Sequence, residues 1–112
     1  LECLPTNYDS LPASEFAPAG GRYDDQIAIF GKSFMQKLHN LKCFVVGSGA
    51  IGCELMKLYS LMGVGSGPEG YIQLTDMDNI EKSNLNRQFL FRPWDVSKPK
   101  SKTAADAVTL IN

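Results

Sequence analysis

The sequence has one histidine, His39, and only three cysteines, Cys3, Cys43 and Cys53, none of them in a CxxC pair or a His/Cys cluster. A structural zinc site draws on such clusters, so none is expected, and an odd cysteine count argues against a disulfide framework. Three reduced, structural thiols are the expectation. Long apolar runs are missing too. The longest candidate, Leu55 to Val64, is broken by Lys57 and Ser60 and falls short of the roughly 18 residues a membrane-spanning helix needs. Nor is there an excess of either charge: 11 Lys and Arg stand against 12 Asp and Glu in 112 residues, a net of −1. That balance gives no global attraction to nucleic acid or to an anionic membrane, and neither is expected as a partner. The start, Leu1-Glu2-Cys3-Leu4-Pro5, lacks the basic residues and apolar core of a secretory signal, which makes the cytoplasm and nucleus the expected location.

What is present is patterned. With 44% hydrophobic and 21% charged residues the chain reads as globular and of single-domain size. Residues 1–21 carry Pro5, Pro12, Pro18, Gly20 and Gly21 and show no periodicity, which predicts a linker or a surface-hugging arm. Ile27, Phe30, Phe34 and Leu38 then recur every three or four residues. They predict two short helical segments interrupted near Gly31, packing their apolar side chains onto elements further along the chain. Lys42 to Val46 reads as a buried parallel strand. Ala50 to Met62 reads as a helix whose polar stripe is only Glu54, Lys57 and Ser60, hence one covered on most sides.

Tyr71 to Thr75 comes next as a second strand. Asp78 to Pro93 is irregular and rich in Asn, Arg and Gln, and a loop of that length favours a functional explanation. A last helix is predicted from about Ser97 to Pro99 onward, with Ser97 as cap and Pro99 in the first turn, placing Ala104, Val108 and Ile111 on one face. The predicted fold class is α/β, Rossmann-like: an incomplete parallel sheet in strand-helix-strand-helix order, preceded by short helices and an extended N-terminal arm. Residues 1–21 form the arm and residues 22–112 the domain. Two parallel strands leave open edges, which partner strands are expected to cover.

Gly47-Ser48-Gly49-Ala50-Ile51-Gly52 is a GxGxxG motif directly after a strand and at the start of a helix. Gly47 permits the tight turn, Gly49 lets a ligand approach the backbone, and Gly52 lets helix and strand pack closely. The free amides of the helix start favour an anionic or polar ligand. Asp76 ends the second strand, 24 residues after Gly52, where its carboxylate can accept hydrogen bonds from both hydroxyls of a ribose. Asp78 is a second candidate for that role, with a turn residue as the alternative.

Charge is divided unevenly at Arg87. From there to the end five basic residues (Arg87, Arg92, Lys98, Lys100, Lys102) face two acidic ones, Asp95 and Asp106, whereas the first 86 residues hold six basic against ten acidic. The resulting +3 lies downstream of the ribose-binding carboxylate, where it suits a triphosphate better than a pyridine dinucleotide. Arg supplies a bidentate fork and Lys a point charge for phosphate oxygens. Arg87 and Lys100 are the leading candidates; Lys98 and Lys102 also read as a solvated helix start. His39 reads as a residue near a helix C-terminus, Phe89, Phe91 and Trp94 as apolar anchors for the long loop, and Cys53 as a buried structural thiol.

Three stretches then carry a resemblance: Arg22-Tyr23-Asp24-Asp25-Gln26, the Gly47 to Gly52 loop with Cys53-Glu54-Leu55, and the run from Thr75 to Val96. That run includes Asn84-Leu85-Asn86-Arg87-Gln88 and Phe91-Arg92-Pro93-Trp94-Asp95-Val96. They resemble the ubiquitin-activating enzymes, called E1, over nearly the whole chain. SUMO- and NEDD8-activating enzymes and the bacterial sulfur-carrier adenylyltransferases share the Gly loop and the Asn-Leu-Asn-Arg-Gln core; the Arg22-Tyr23-Asp24 entry with Phe91-Arg92-Pro93-Trp94-Asp95-Val96 resembles the ubiquitin branch.

The resemblance implies an adenylation domain that binds ATP and Mg2+, activates the C-terminal carboxylate of ubiquitin as an acyl-adenylate and passes it to a cysteine as a thioester. It implies that Gly47, Gly49, Ala50 and Gly52 line the nucleotide, that Asp76 holds the ribose, and that Arg87, Lys100, Asn84 and Gln88 hold the phosphates. The principal metal-binding aspartate, the thioester-forming cysteine and the domain recruiting E2 conjugating enzymes are expected beyond residue 112. The chain is therefore expected to be a piece of a longer protein whose partners are ubiquitin, E2 enzymes and the other domains of the same chain. An activating enzyme for SUMO or NEDD8, an NAD-binding oxidoreductase domain, and a pseudo-active scaffold subunit are the alternatives.

Overall fold

The computed structural model describes residues 8–112; Cys3 and the Leu1 to Pro5 start lie outside the described residues. Lys42–Val46 (β1) and Tyr71–Thr75 (β2) pair in parallel, Lys42 opposite Tyr71 through to Val46 opposite Thr75. Parallel neighbours need a crossover, and Ala50–Met62 supplies it as helix α3. Helices α1 (Asp24–Phe30) and α2 (Lys32–His39) precede the sheet, and α4 (Lys100–Val108) closes the order. Both strands alternate, as a sheet packed on one face must. Val45, Ile72 and Leu74 turn toward a core of Cys53, Met56, Ile80, Leu90, Phe91, Ala104 and Val108, while Phe44, Val46 and Tyr71 are exposed.

The predicted break at Gly31 separates α1 from α2. Ile27 and Met35 are the residues buried there, and Phe30 and Phe34 stack on each other at 5.2 Å between ring centres. The Gln26 amide donates to Met62 O at 3.2 Å and Arg22 to Ile111 O at 3.0 Å, which ties this region to the ends of α3 and of the chain. The described part of the arm is not extended. It forms 3-10 turns at Tyr8–Ser10 and Ala13–Phe16, and Glu15 accepts the Ser33 amide at the start of α2. The carboxylate of Asp24 gathers the amides of Ala19, Gly20 and Gly21. The physical reason is satisfaction of backbone donors by two carboxylates, which proline and glycine content does not report.

Three other expectations change. Helix α3 buries Gly52, Cys53 and Met56 but leaves Ile51, Leu58 and Leu61 exposed, so one flank is uncovered by the described residues. Trp94 is 73% exposed while Phe91 is buried: in the 3-10 turn Pro93–Asp95 the inward position goes to Asp95, whose carboxylate accepts the Arg92 amide at 3.0 Å. Helix α4 starts at Lys100 with Pro99 just outside it. Ser97 does not cap it, because its backbone is drawn into pairing with Ile80.

Candidate functional site

Val46 and Thr75 are the last paired residues of the two strands, so the segments leaving them emerge side by side. Gly47 takes φ +98°, a conformation natural only to glycine, and donates its amide to Thr75 O at 2.7 Å. The turn it makes aims Ser48 at Asp76. The Ser48 amide donates to Asp76 Oδ2 at 2.7 Å and the Ser48 hydroxyl to the same oxygen at 3.1 Å. Ser48 is fully buried, and its carbonyl accepts the Cys53 thiol at 3.6 Å. Asp76 Oδ1 accepts the amide of Asp78 at 2.8 Å, an Asx turn. Burial disfavours the ionised Asp76 carboxyl, but the Ser48 and Asp78 amides, the Ser48 hydroxyl and the charge of Lys100 together outweigh it. Its pKa lies below the ordinary value.

Lys100 reaches this place through a strap of backbone bonds. Ser97 N donates to Ile80 O at 2.7 Å, Ile80 N to Lys98 O at 2.9 Å and Lys100 N to Asp78 O at 3.0 Å. The buried Ile80 anchors the strap. Lys100 Nζ lies 3.7 Å from Asp78 Oδ2, with the lysine side chain 9% exposed and the aspartate 66%. That separation exceeds hydrogen-bond range and leaves the ammonium donors available to another acceptor.

Helix α3 begins beside these groups at Ala50, with Gly49 at its cap and no side chain capping it. Its first amides have no acceptor within the helix and favour negative charge. A Cβ on Gly49 would meet nothing within 4 Å, so the chain itself gives no reason for a glycine there, whereas a ligand lying on the backbone does. The open groove at this point holds about 400 Å³ between Val45, Val46, Gly47 and the start of α3. A larger cavity of about 540 Å³ lies between the Phe89 to Lys98 stretch and α4. It is not lined by the Gly loop, Asp76 lines neither space, and convergent polar groups rather than volume identify the site.

The other predicted residues lie in the loop between Asp78 and Lys100. Asn84 is buried, and its Oδ1 accepts the Glu81 amide at 2.9 Å, closing the 3-10 turn Lys82–Asn84. Gln88 is buried with Oε1 lacking a partner. Arg87 is exposed and donates to Ser83 O at 2.9 Å and Asn86 Oδ1 at 3.3 Å, contacts confined to its own loop. Lys98 pairs with Asp95 at 2.8 Å and Lys102 with Asp106 at 2.9 Å. Among the described residues, Lys98 and Lys102 are thus held by hydrogen-bonded carboxylates, Lys100 faces Asp78 at 3.7 Å, and no salt bridge engages Arg87. The bond from Lys98, opposed by burial and helped by the Arg92 amide, holds the Asp95 carboxyl below its ordinary range. Burial pushes the Cys53 thiol up, which suits a structural rather than a nucleophilic cysteine.

Sequence reasoning passed over Ser48, the first variable position of the Gly motif. Its role comes from the register, which sets the residue after Gly47 against the residue after Thr75; the spacing of glycines carries no such information.

The sequence profile of the ThiF family matches residues 23–112. The chain is 56% identical over 112 residues to ubiquitin-like modifier-activating enzyme 1 of Dictyostelium discoideum and 55% identical to that of Homo sapiens. It is 60% identical over 114 residues to ubiquitin-activating enzyme E1 1 of Candida albicans. Each alignment takes in 100% of this chain but only 11% of the relative, so the chain spans a small part of the length of these proteins. Among solved structures, E. coli MccB determined with ATP superposes with a TM-score of 0.73 at 30% identity, over 91% of this chain and 31% of that one. E. coli tRNA N6-threonylcarbamoyladenosine dehydratase, TcdA, superposes with a TM-score of 0.71 at 26% identity, over 81% and 36% respectively.

Proposed function

Because the chain belongs to the ThiF family, we propose that it forms the ATP-binding part, the N-terminal half, of the adenylation domain of a ubiquitin-activating enzyme. The observation that carries this reading is the meeting of Ser48, Asp76, Asp78 and the buried Lys100 at the mouth of the Gly loop. Curated relatives named ubiquitin-activating enzyme E1 1, identical at more than half of the aligned positions, support the choice of substrate.

In this reading the backbone of Gly47, Gly49, Ala50 and Gly52 lies against the nucleotide, and the ionised Asp76 takes the ribose. Lys100 and Arg87 hold phosphate oxygens, with Asn84 and Gln88 beside them. The C-terminal carboxylate of ubiquitin attacks the α-phosphorus; the new O–P bond forms as the bond to the β-phosphate oxygen breaks, and pyrophosphate leaves with the electron pair. No covalent enzyme nucleophile is needed for that step. Fixed cations stabilise the charge that accumulates. Transfer to a cysteine and hand-over to an E2 conjugating enzyme belong to other parts of the longer protein. Among the described residues no three His, Cys, Asp or Glu gather to hold a metal.

The test is ubiquitin-dependent exchange between ATP and pyrophosphate in the full-length enzyme that carries this segment. Arg87→Ala and Asp76→Ala should each reduce exchange by at least about tenfold, the loss of one charge-assisted hydrogen bond. Unchanged exchange in both would show that the site is elsewhere.

A further inference from the structure

A carboxylate offers two oxygens and about four lone-pair directions. On Asp76, Ser48 fills both directions of Oδ2, with its amide at 2.7 Å and its hydroxyl at 3.1 Å. The Asp78 amide takes one direction of Oδ1 at 2.8 Å. A single acceptor position is left, on Oδ1. A ribose presents two adjacent hydroxyls, and an unencumbered aspartate can accept both; this one has room for one. The two donors from Ser48 also differ in kind. Any residue but proline at position 48 would supply the amide, whereas the hydroxyl is specific to the side chain and is buried completely with it.

Resting on the reading of this loop as a nucleotide site, we propose that Ser48 is a positioning residue: its hydroxyl locks Asp76 Oδ2 to the Gly loop and dedicates the carboxylate, through Oδ1, to one ribose hydroxyl. The second hydroxyl of the sugar is then read by some group other than Asp76 or is not read at all. Lys100 reinforces the arrangement, since its charge favours the ionised form of Asp76.

The experiment is equilibrium binding of ATP, 2′-deoxy-ATP and 3′-deoxy-ATP to the full-length enzyme, without ubiquitin, in wild-type and Ser48→Ala forms. In the wild type one deoxy analogue should bind about tenfold or more weakly than ATP, and the other within about threefold of it. In Ser48→Ala the affinity for ATP should fall about tenfold, and the discrimination between analogues should shrink to within about threefold, because the carboxylate is no longer held in register.

Equal losses for both analogues in the wild type overturn the proposal. So does wild-type discrimination persisting in Ser48→Ala, including the case where all three nucleotides weaken in proportion, which is what a merely structural role produces. Ser48→Cys, close in shape and a weaker donor, serves if the alanine variant does not fold: discrimination should shrink there too, and its retention overturns the assignment. Absence of ATP binding in the wild type removes the nucleotide site and this role together. Loss of ubiquitin-dependent exchange with ATP binding intact removes only the modifier-activation reading.

Discussion

Gly52, in the first turn of α3, packs so closely on the carbonyl of Gly47 that a Cβ at position 52 would overlap Gly47 O and come within 3.0 Å of Gly47 C. Three residues earlier, a Cβ on Gly49 would meet nothing within 4 Å. The two glycines of one motif therefore answer to different demands, the first to the fold and the second to a ligand.

Alanine at each position should separate those demands. Gly52→Ala forces a methyl against the Gly47 backbone, an overpacking that costs about 1–3 kcal/mol, and should lower the unfolding temperature of the full-length enzyme together with its activity. Gly49→Ala should unfold like the wild type yet bind ATP at least about tenfold more weakly, because its methyl stands in the approach of the nucleotide. Differential scanning calorimetry and nucleotide titration check both. Wild-type ATP affinity in Gly49→Ala would remove the groove beside Gly49 from the binding site.

The second prediction concerns pH. His39 ends α2 with its ring centre 4.7 Å from that of Tyr23 and its Nε2 buried without a partner. Burial pushes its pKa below the ordinary 6.5. The folded state then holds fewer protons on this ring than the unfolded state does. The stability involved is complete above 6.5 and drains away as pH falls from 6.5 through the lower folded value. Asp76 and Asp95, also depressed, act in a more acidic window: their contribution is present above 3.8 and is lost as pH falls through their folded values. The full-length enzyme should lose stability as pH falls below 6.5, and less steeply in His39→Phe, which keeps a ring against Tyr23. Identical slopes for the two proteins in urea titrations would assign the loss to other groups.

Much of this was legible in the sequence. The strand limits at Lys42, Val46, Tyr71 and Thr75 and the limits of α3 match the reading from pattern, because short apolar runs bounded by glycines leave little latitude. What escaped depends on particular hydrogen bonds, some between distant residues and some within a single turn, that periodicity and composition do not report. The arm folds because Glu15 caps the start of α2. Ser97 fails as a cap because Ile80 claims its backbone, and Trp94 turns outward because Asp95 turns inward. The division of the basic segment into the tightly paired Lys98 and Lys102, the looser Lys100 beside Asp78 and an Arg87 without a salt bridge is likewise a property of the fold, since composition counts charges without their partners.

The last prediction comes from the uncovered surfaces. On the face of the sheet turned away from α3 and α4, Phe44, Val46 and Tyr71 are 63%, 75% and 51% exposed. The outer edges of both strands have no partner strand among the described residues. Two-stranded sheets are marginal on their own, and open edges beside exposed apolar side chains are templates for association. Expressed alone, the 112 residues should elute from gel filtration as associated species and bind an apolar dye such as ANS. Phe44→Thr with Val46→Thr should shift the population toward monomer by removing the apolar surface while keeping strand-forming residues. The same pair in the full-length enzyme should destabilise it, because a face that drives association in isolation is one that other parts of the protein cover. A dye-silent monomer of the isolated chain that unfolds cooperatively would show instead that these side chains need no cover.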